Sequence, residues 1–209
     1  MEKDQNARLE KRKNAVQAIS DKMIQDGYQR HDLSLDLRTA NTHSIVSVLP
    51  FCVLFVCLFG FIAGWNRFAE INVPILLVAF IISLFIHEGI HGLFYGIFAK
   101  NHFRAIEFGV IWKSLNPYCY CKDPLSKSRY LIAVLMPGAI LGGIIGIIGV
   151  SIASANLVLF SVISFIGASG DFYVAWKLIN YPSNGKCMLV LDHPELPGCI
   201  LFTGEPAIT

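Results

Sequence analysis

The amino-acid sequence predicts an all-α membrane protein, a bundle of four transmembrane helices with a small cytoplasmic β-hairpin and a peripheral N-terminal helix. Apolar residues make up 54% of the 209-residue chain and charged residues only 15%, far from the composition of an average soluble domain. The charges are concentrated near the N-terminus and in one internal loop, whereas the long apolar stretches have almost none. This distribution indicates insertion into a membrane and argues against nucleic acid as a partner.

Four apolar stretches are long enough to cross a hydrocarbon core of about 30 Å, which takes roughly 20 helical residues. They are residues 44–65, 73–99, 130–153 and 155–178. The last two are separated by a very short turn, so we expect them to form a tight antiparallel pair. Because the polar N-terminus does not resemble a cleavable signal peptide, we expect the first stretch to stay in the membrane as a start-transfer helix.

The distribution of Lys and Arg predicts the orientation of these helices. Of the 17 basic residues, eight lie in the N-terminal segment, six in the loop 100–129 and two in the tail from Lys177, whereas Arg67 alone lies in the loop after the first helix. If the chain crosses the membrane four times, the N-terminal segment, the loop 100–129 and the tail lie on the same side. Because these segments carry most of the basic residues, we expect that side to be the cytoplasm. We therefore expect a multi-pass protein of the cell membrane with both termini in the cytoplasm.

The two terminal segments flank a predicted transmembrane domain of residues 44–178. Residues 1–43 contain a polar helix, 4–27, whose sparse apolar stripe allows two interpretations: a peripheral helix on the membrane or the bundle, and a mostly solvated arm. The tail, residues 179–209, has two short apolar runs, at 188–191 and 200–202, joined by a turn-rich connection. No regular structure beyond these runs is predicted for it.

The loop 100–129 is expected to carry a β-hairpin at the cytoplasmic edge of the membrane. Residues 103–112 are rich in β-branched and aromatic side chains, Asn116-Pro117 is a turn signal, and residues 118–121 can form the returning strand.

An H-E-x-x-H motif occupies residues 87–91 of the second apolar stretch. Residues four apart in an α-helix are rotated by only about 40° and lie about 6 Å apart along the axis, so His87 and His91 can bind one metal ion from the same face. Zinc suits two imidazoles and a carboxylate, with one position left open for water. Glu88 stands beside such an ion and can accept the proton of an attacking water. Ionisable residues at this depth usually mark function, although they can also join helices as polar contacts.

A third protein ligand is predicted at Asp171, which besides Glu88 is the only carboxylate residue in the four stretches. Asp171 lies about sixteen residues into the fourth stretch, and the two histidines lie about fourteen and eighteen residues into the second. Both helices run in the same direction, so at about 1.5 Å per residue the three groups reach a similar depth, toward the cytoplasmic half. The alternative interpretation is that Asp171 turns to water and pairs with Lys177.

Small residues are expected to let the second and fourth helices approach each other closely. On the fourth helix these are residues 167–170, and on the second they are Gly89, Gly92 and Gly96. Two other polar residues are candidates near the site. Asn116 is a candidate oxyanion donor. His193 can cap the site or contact a metal ion, or it can be an ordinary turn residue.

Five pieces of the sequence together resemble a known family. They are His87-Glu88-Gly89-Ile90-His91-Gly92, the hairpin-like loop after it, Met136-Pro137-Gly138, Ser169-Gly170-Asp171 and Asp192-His193-Pro194-Glu195. Over roughly residues 70–202 the chain resembles the DUF3267 family of membrane zincin peptidases. It is more distantly similar to the site-2 protease class of intramembrane metalloproteases.

The resemblance implies an intramembrane zinc metalloendopeptidase that hydrolyses peptide bonds near the cytoplasmic face. His87, His91 and Asp171 would bind Zn²⁺, and Glu88 would take a proton from the attacking water and pass it to the leaving amine. The implied partners are the lipid bilayer and a membrane-embedded or membrane-proximal protein substrate. A substrate helix must unwind before cleavage, and the hairpin offers an edge with which the unwound segment can pair.

Two other functions fit the same residues. The first is a non-enzymatic membrane protein that uses the His/Glu/Asp cluster to sense or transport metal ions or protons. The second is a degenerate protease that acts as an interaction scaffold. Transport predicts further ionisable residues along a path, whereas residues 44–65 and 130–153 have no charged side chain. A degenerate protease is expected to lose the glutamate, and Glu88 is present.

Overall fold

The computed structural model describes residues 2–34, 37–111, 116–183 and 185–205, most of them helical. The helices are α1 (Glu2–Gln25), α2 (Leu37–Ala63), α3 (Val73–Phe98), α4 (Lys127–Pro137), α5 (Ile145–Ser151), α6 (Ala155–Gly167) and α7 (Ser169–Asn180). The strands are β1 (Gln29–Asp32), β2 (Ile106–Ile111), β3 (Asn116–Cys121), β4 (Leu125–Ser126), β5 (Cys187–Asp192) and β6 (Cys199–Gly204). Short 3-10 helices cover Trp65–Glu70 and His102–Ala105, and a π-helix, Gly138–Ile144, joins α4 to α5.

Three segments of the described chain are long and apolar enough to cross a membrane by length and composition: Ser44–Ala63, Val73–Phe98 and Lys127–Ser151. The pair α6 and α7 passes the same test only when taken together, and the two helices meet at an angle of 53°. The helix predicted over residues 155–178 is therefore not continuous. The break falls within Gly167-Ala168-Ser169-Gly170, where two glycines weaken the helix.

The third apolar segment changes its helix type after Pro137. Proline has no N–H group and its ring interferes with the preceding turn, so a regular α-helix does not continue through it. The π-helix that follows is glycine-rich, and one of its backbone carbonyls, that of Gly142, accepts a hydrogen bond from the Ser161 hydroxyl of α6 at 2.5 Å. Ser161 of α6 thus provides a hydrogen-bond donor for a backbone carbonyl of the π-helix.

The largest buried cluster joins one end of α3, α4 and α7 to a sheet. It includes Tyr95 of α3, Tyr130 of α4, Leu178 of α7, and Val190 and Leu201 of the strands. A second cluster packs phenylalanines of α2 against α6. Because the first cluster holds three helix ends together, it fixes the end of the bundle at which the H-E-x-x-H motif lies.

The sheet in this cluster has four antiparallel strands in the order β1-β6-β5-β4. The apolar runs at 188–191 and 200–202 belong to β5 and β6, but the sheet itself is absent from the sequence-based prediction, so the all-α description is incomplete. The edge strand β1 has the polar sequence Gln-Arg-His-Asp and no alternating pattern. Its conformation depends on pairing with β6, all of whose residues are buried.

The predicted hairpin is present as β2 paired with β3, with Ile106 opposite Cys121. Trp112, which the sequence assigns to the first strand, lies outside the described residues. The hairpin and the 3-10 helix before it both pack on α3. The Phe108 ring of β2 occupies the space over Gly92, and the Phe103 ring of the 3-10 helix occupies the space over Gly96. The prediction that these two glycines face the fourth helix is therefore wrong.

The N-terminal helix α1 packs on the protein, which supports the first of its two interpretations. Val16 is buried in a cluster with Tyr120 of β3 and with residues of β5 and β6. The Arg12 guanidinium lies 2.6 Å from the Glu107 carboxylate and donates to the Tyr118 hydroxyl at 2.5 Å. The helix thus connects the hairpin to the sheet.

Candidate metal centre

His87 and His91 lie one turn apart on α3, and both face Asp171 of α7. The Asp171 Oδ2 atom is 3.1 Å from Nε2 of His87 and 3.5 Å from Nε2 of His91. One possible ligand atom from each residue lies within 4.8 Å of the others. Tetrahedral ligand atoms about 2.1 Å from a zinc ion are about 3.4 Å apart. The spacing of these three side chains therefore fits the ligands of one ion.

The break between α6 and α7 determines where Asp171 lies. Asp171 is in the first turn of α7, where the partial positive charge of a helix N-terminus favours a carboxylate. Lys177, the alternative partner considered above, donates instead to the backbone carbonyls of Leu33 and Ser34, at 3.2 and 3.3 Å. The structure thus brings Asp171 to the two histidines rather than to Lys177.

His91 is oriented by the backbone of α4. Its Nδ1 atom is 3.0 Å from the carbonyl oxygen of Ala133, and the residue is only 6% exposed. A carbonyl oxygen can only accept, so Nδ1 must carry a proton and the neutral ring keeps its lone pair on Nε2. Metal-binding histidines typically have such a partner on the second nitrogen. This contact is a further sign that the site suits a metal ion.

Glu88 lies between the histidines and the hairpin. Glu88 lies near the backbone of Cys119 on β3. The Cys119 thiol is not among the described groups whose spacing fits one ion, which are His87, His91 and Asp171. The carboxyl group next to the two histidines therefore lies on the side of the site that faces β3.

Asp192, at the end of β5, is a residue whose role the sequence did not reveal. The Tyr130 hydroxyl donates to its Oδ1 atom at 2.7 Å, and the Cys121 backbone N–H donates to its Oδ2 atom at 2.7 Å. The Tyr95 hydroxyl lies 3.5 Å from the same Oδ1 atom, and the Tyr95 ring stacks on His91. Burial raises the pKa of Asp192 despite these donors. This carboxyl group therefore joins the sheet, the hairpin and two helices behind the candidate centre.

Of the other sequence-based candidates, His193 is not part of this cluster. His193 Nδ1 accepts from the backbone N–H groups of Glu195 and Leu196, at 3.2 and 2.8 Å, so its contacts are those of a turn residue. Its Nε2 atom lies 3.7 Å from the Asp32 carboxylate. The side chain of Asn116 lies outside the described residues.

Comparison with known proteins gives one match. A family model described as "Putative zincin peptidase" (DUF3267) matches residues 80–185, just over half of the chain. The matched range includes Glu88 and the three candidate ligands but ends before Asp192. No curated protein and no solved structure matches the chain.

Proposed function

Since the chain belongs to the DUF3267 family, we propose that it is an intramembrane zinc metallopeptidase that hydrolyses peptide bonds near the cytoplasmic face of the membrane. The observation that supports this most directly is the convergence of His87, His91 and Asp171, with Glu88 on the adjoining position of α3. These three residues would bind Zn²⁺, which supplies Lewis-acid activation of the scissile carbonyl and of water.

Each residue of the site has a role that follows from its contacts. The Glu88 carboxylate accepts the proton of the attacking water and then donates it to the nitrogen of the leaving amine. His91 keeps its Nε2 atom directed at the centre because the Ala133 carbonyl accepts from its Nδ1 atom. Asp171 would offset part of the positive charge of the ion.

The substrate segment is expected to pair with the hairpin. The Cys121 N–H points away from β2, toward Asp192. Because outward N–H groups alternate along an antiparallel strand, the Cys119 N–H also points away from β2, toward the side on which Glu88 lies. A carbonyl group of an unwound segment along this edge of β3 would accept a hydrogen bond from the Cys119 N–H.

Access from the membrane is supported by small residues beside the site. No atom of a neighbouring element lies within 4 Å of the position that a Cβ atom would take at Gly89 or Gly170. These glycines adjoin Glu88 and Asp171. The partner is therefore a membrane-embedded or membrane-proximal protein whose unwound backbone can enter this space. The distribution of Lys and Arg supports a cytoplasmic position for the hairpin, for the sheet and for both termini.

Metal analysis of the purified full-length protein tests the centre. We expect about one zinc ion per chain in the wild type and in Glu88→Gln, and little zinc in His87→Ala and Asp171→Ala. Asp26→Ala, which removes an exposed carboxylate, is the matched control and should keep its zinc. A wild-type protein that binds no zinc would end the proposal.

Hydrolysis is tested by mapping new protein N-termini in membranes that contain either the wild type or Glu88→Gln. We expect N-termini that depend on Glu88 and on added zinc. If Glu88→Gln binds zinc and produces the same N-termini as the wild type, the assignment of the base is wrong. Uptake of zinc or protons by vesicles containing either protein, without cleavage, would instead support the transport alternative.

A further inference from the structure

A second site lies at the end of α3, apart from the candidate metal centre. It is a cavity of about 440 Å³, and none of the candidate metal ligands lines it. Its apolar wall includes Ile97 of α3 and Leu189 of β5, and its polar wall includes Lys100, Ser126 and Arg129. The cavity is therefore amphipathic, with basic side chains on one wall.

The polar wall carries basic side chains, and no acidic residue is among those that line the cavity. Lys100 and Arg129 are exposed, and neither forms an ion pair with any residue that the structure describes. Asp123 is the acidic residue nearest to Arg129 along the chain, and its two carboxylate oxygens accept from the backbone and side-chain nitrogens of Asn101, at 2.7 and 3.0 Å. Two cations thus face a cavity with no carboxylate among its lining residues.

The position of the cavity distinguishes a lipid from a soluble anion. It lies where the apolar segment Val73–Phe98 ends and where the segment Lys127–Ser151 begins, which is the level of the headgroups if these segments span the membrane. One turn earlier on the same face of α3 as Ile97, Leu93 is 48% exposed, and Ile97 itself is 52% exposed. An exposed apolar strip therefore leads from the basic wall along the helix.

We propose that this cavity binds the headgroup of an anionic phospholipid. Its phosphate oxygens lie against Lys100 and Arg129, and one acyl chain runs along Ile97 and Leu93. The first N–H groups of α4 add to the positive potential, because the Ser126 side chain forms no capping hydrogen bond with them. Anionic lipids of the cytoplasmic leaflet are attracted to basic residues in this position. The site requires membrane insertion but not peptidase activity.

The test is native mass spectrometry of the full-length protein in detergent, with equal amounts of phosphatidylglycerol and phosphatidylcholine that have the same acyl chains. We expect the wild type to retain phosphatidylglycerol about tenfold or more in excess, as the attraction of two basic residues implies. Lys100→Gln combined with Arg129→Gln should remove this preference. Lys11→Gln combined with Lys22→Gln removes the same charge from exposed positions of α1 and should keep it.

Equal retention of the two lipids by the wild type would overturn the proposal, as would an unchanged preference in the double variant of the cavity. Excess inorganic phosphate should leave the lipid bound, and full displacement by phosphate would mean that the site takes a soluble anion. Zinc content serves as an independent readout of folding. It should be the same in all of these proteins, so a failure of lipid binding is distinguishable from a failure of the metal centre.

Discussion

The carbonyl oxygen of Ala133 lies 3.0 Å from Nδ1 of His91, which places a bond between α3 and α4 directly behind the candidate metal centre. On its other side, Nε2 of His91 faces Asp171 of α7. One imidazole thus connects three helices. His91 is therefore expected to stabilise the fold as well as to bind the ion.

The metal-free protein should distinguish the two histidines. His91→Ala leaves the Ala133 carbonyl without its partner inside the bundle and opens a cavity, and we expect a loss of about 1–3 kcal/mol. His87→Ala should cost less, because the His87 side chain is 17% exposed against 8% for His91. Thermal unfolding of chelator-treated proteins in one detergent measures the difference. Equal unfolding temperatures for the two variants would contradict the structural role of His91.

The proposed pairing of substrate with β3 depends on one N–H group. Cys119→Pro removes that group while leaving the ladder to β2 intact, since proline is tolerated where the N–H points away from the partner strand. We expect normal zinc content and a loss of the Glu88-dependent N-termini. Cys119→Ser keeps the N–H and is the matched control, with cleavage close to that of the wild type. Cleavage by Cys119→Pro at the wild-type level would show that substrate does not pair here.

The hydrogen bonds to Asp192 predict that the loss of one donor lowers the free energy of unfolding. Tyr130→Phe removes the 2.7 Å hydrogen bond to the Asp192 carboxyl group and should lower the free energy of unfolding by about 1–3 kcal/mol. Tyr181→Phe removes a hydroxyl for which the described part of the chain provides no partner, so it should change stability little. Unfolding curves of both variants, with zinc bound and with zinc removed, provide the comparison. A Tyr130→Phe protein as stable as Tyr181→Phe would contradict the assigned role.

The contact between α1 and the hairpin should weaken in acid. Burial alone would raise the pKa of Glu107, but Arg12 and Lys122 outweigh burial and keep the pKa below its usual value. A carboxylate with a lowered pKa in the folded state stabilises it above the unfolded pKa of about 4.3, and this contribution disappears as the pH falls through the folded value. We therefore expect α1 to become accessible to a protease of broad specificity below about pH 4.

The contact between α1 and the hairpin can also be weakened at neutral pH, by a substitution on α1. Arg12→Gln should make α1 accessible at neutral pH, because the hairpin residues Glu107 and Tyr118 then lose their cationic partner on α1. Lys11→Gln alters the adjacent exposed residue and should remain as protected as the wild type. Equal protection of α1 in Arg12→Gln and in the wild type at neutral pH would be evidence against this contact.

Local patterns predicted the apolar helices and the proximity of His87, His91 and Asp171. The second helix was expected over 73–99 and is observed over Val73–Phe98. The spacing of His87 and His91 and the depth of Asp171 both follow from helix geometry. Counting residues along a straight helix placed Asp171 level with the two histidines. The bend between α6 and α7 changes this position little, because Asp171 comes only three residues after Ala168.

Features that depend on distant pairing were not predictable in this way. The strand conformation of β1 requires β6, about 170 residues later in the chain, and its polar sequence gives no local signal. Gly92 and Gly96 have the spacing of a helix contact, but which element covers them depends on where the hairpin folds back. The role of Asp192 likewise depends on three donors from three separate elements.

The bend at Ala168 lies close to Asp171 and far from the other end of α7. At about 1.5 Å per residue, Asp171 lies about 4.5 Å from the pivot and Asn180 about 18 Å. A rotation of about 10° around Ala168 moves Asp171 by about 0.8 Å and the far end of α7 by about 3 Å. Leu178, near that far end, is fully buried in the cluster that contains the sheet, so packing there restricts the rotation and keeps Asp171 close to the two histidines.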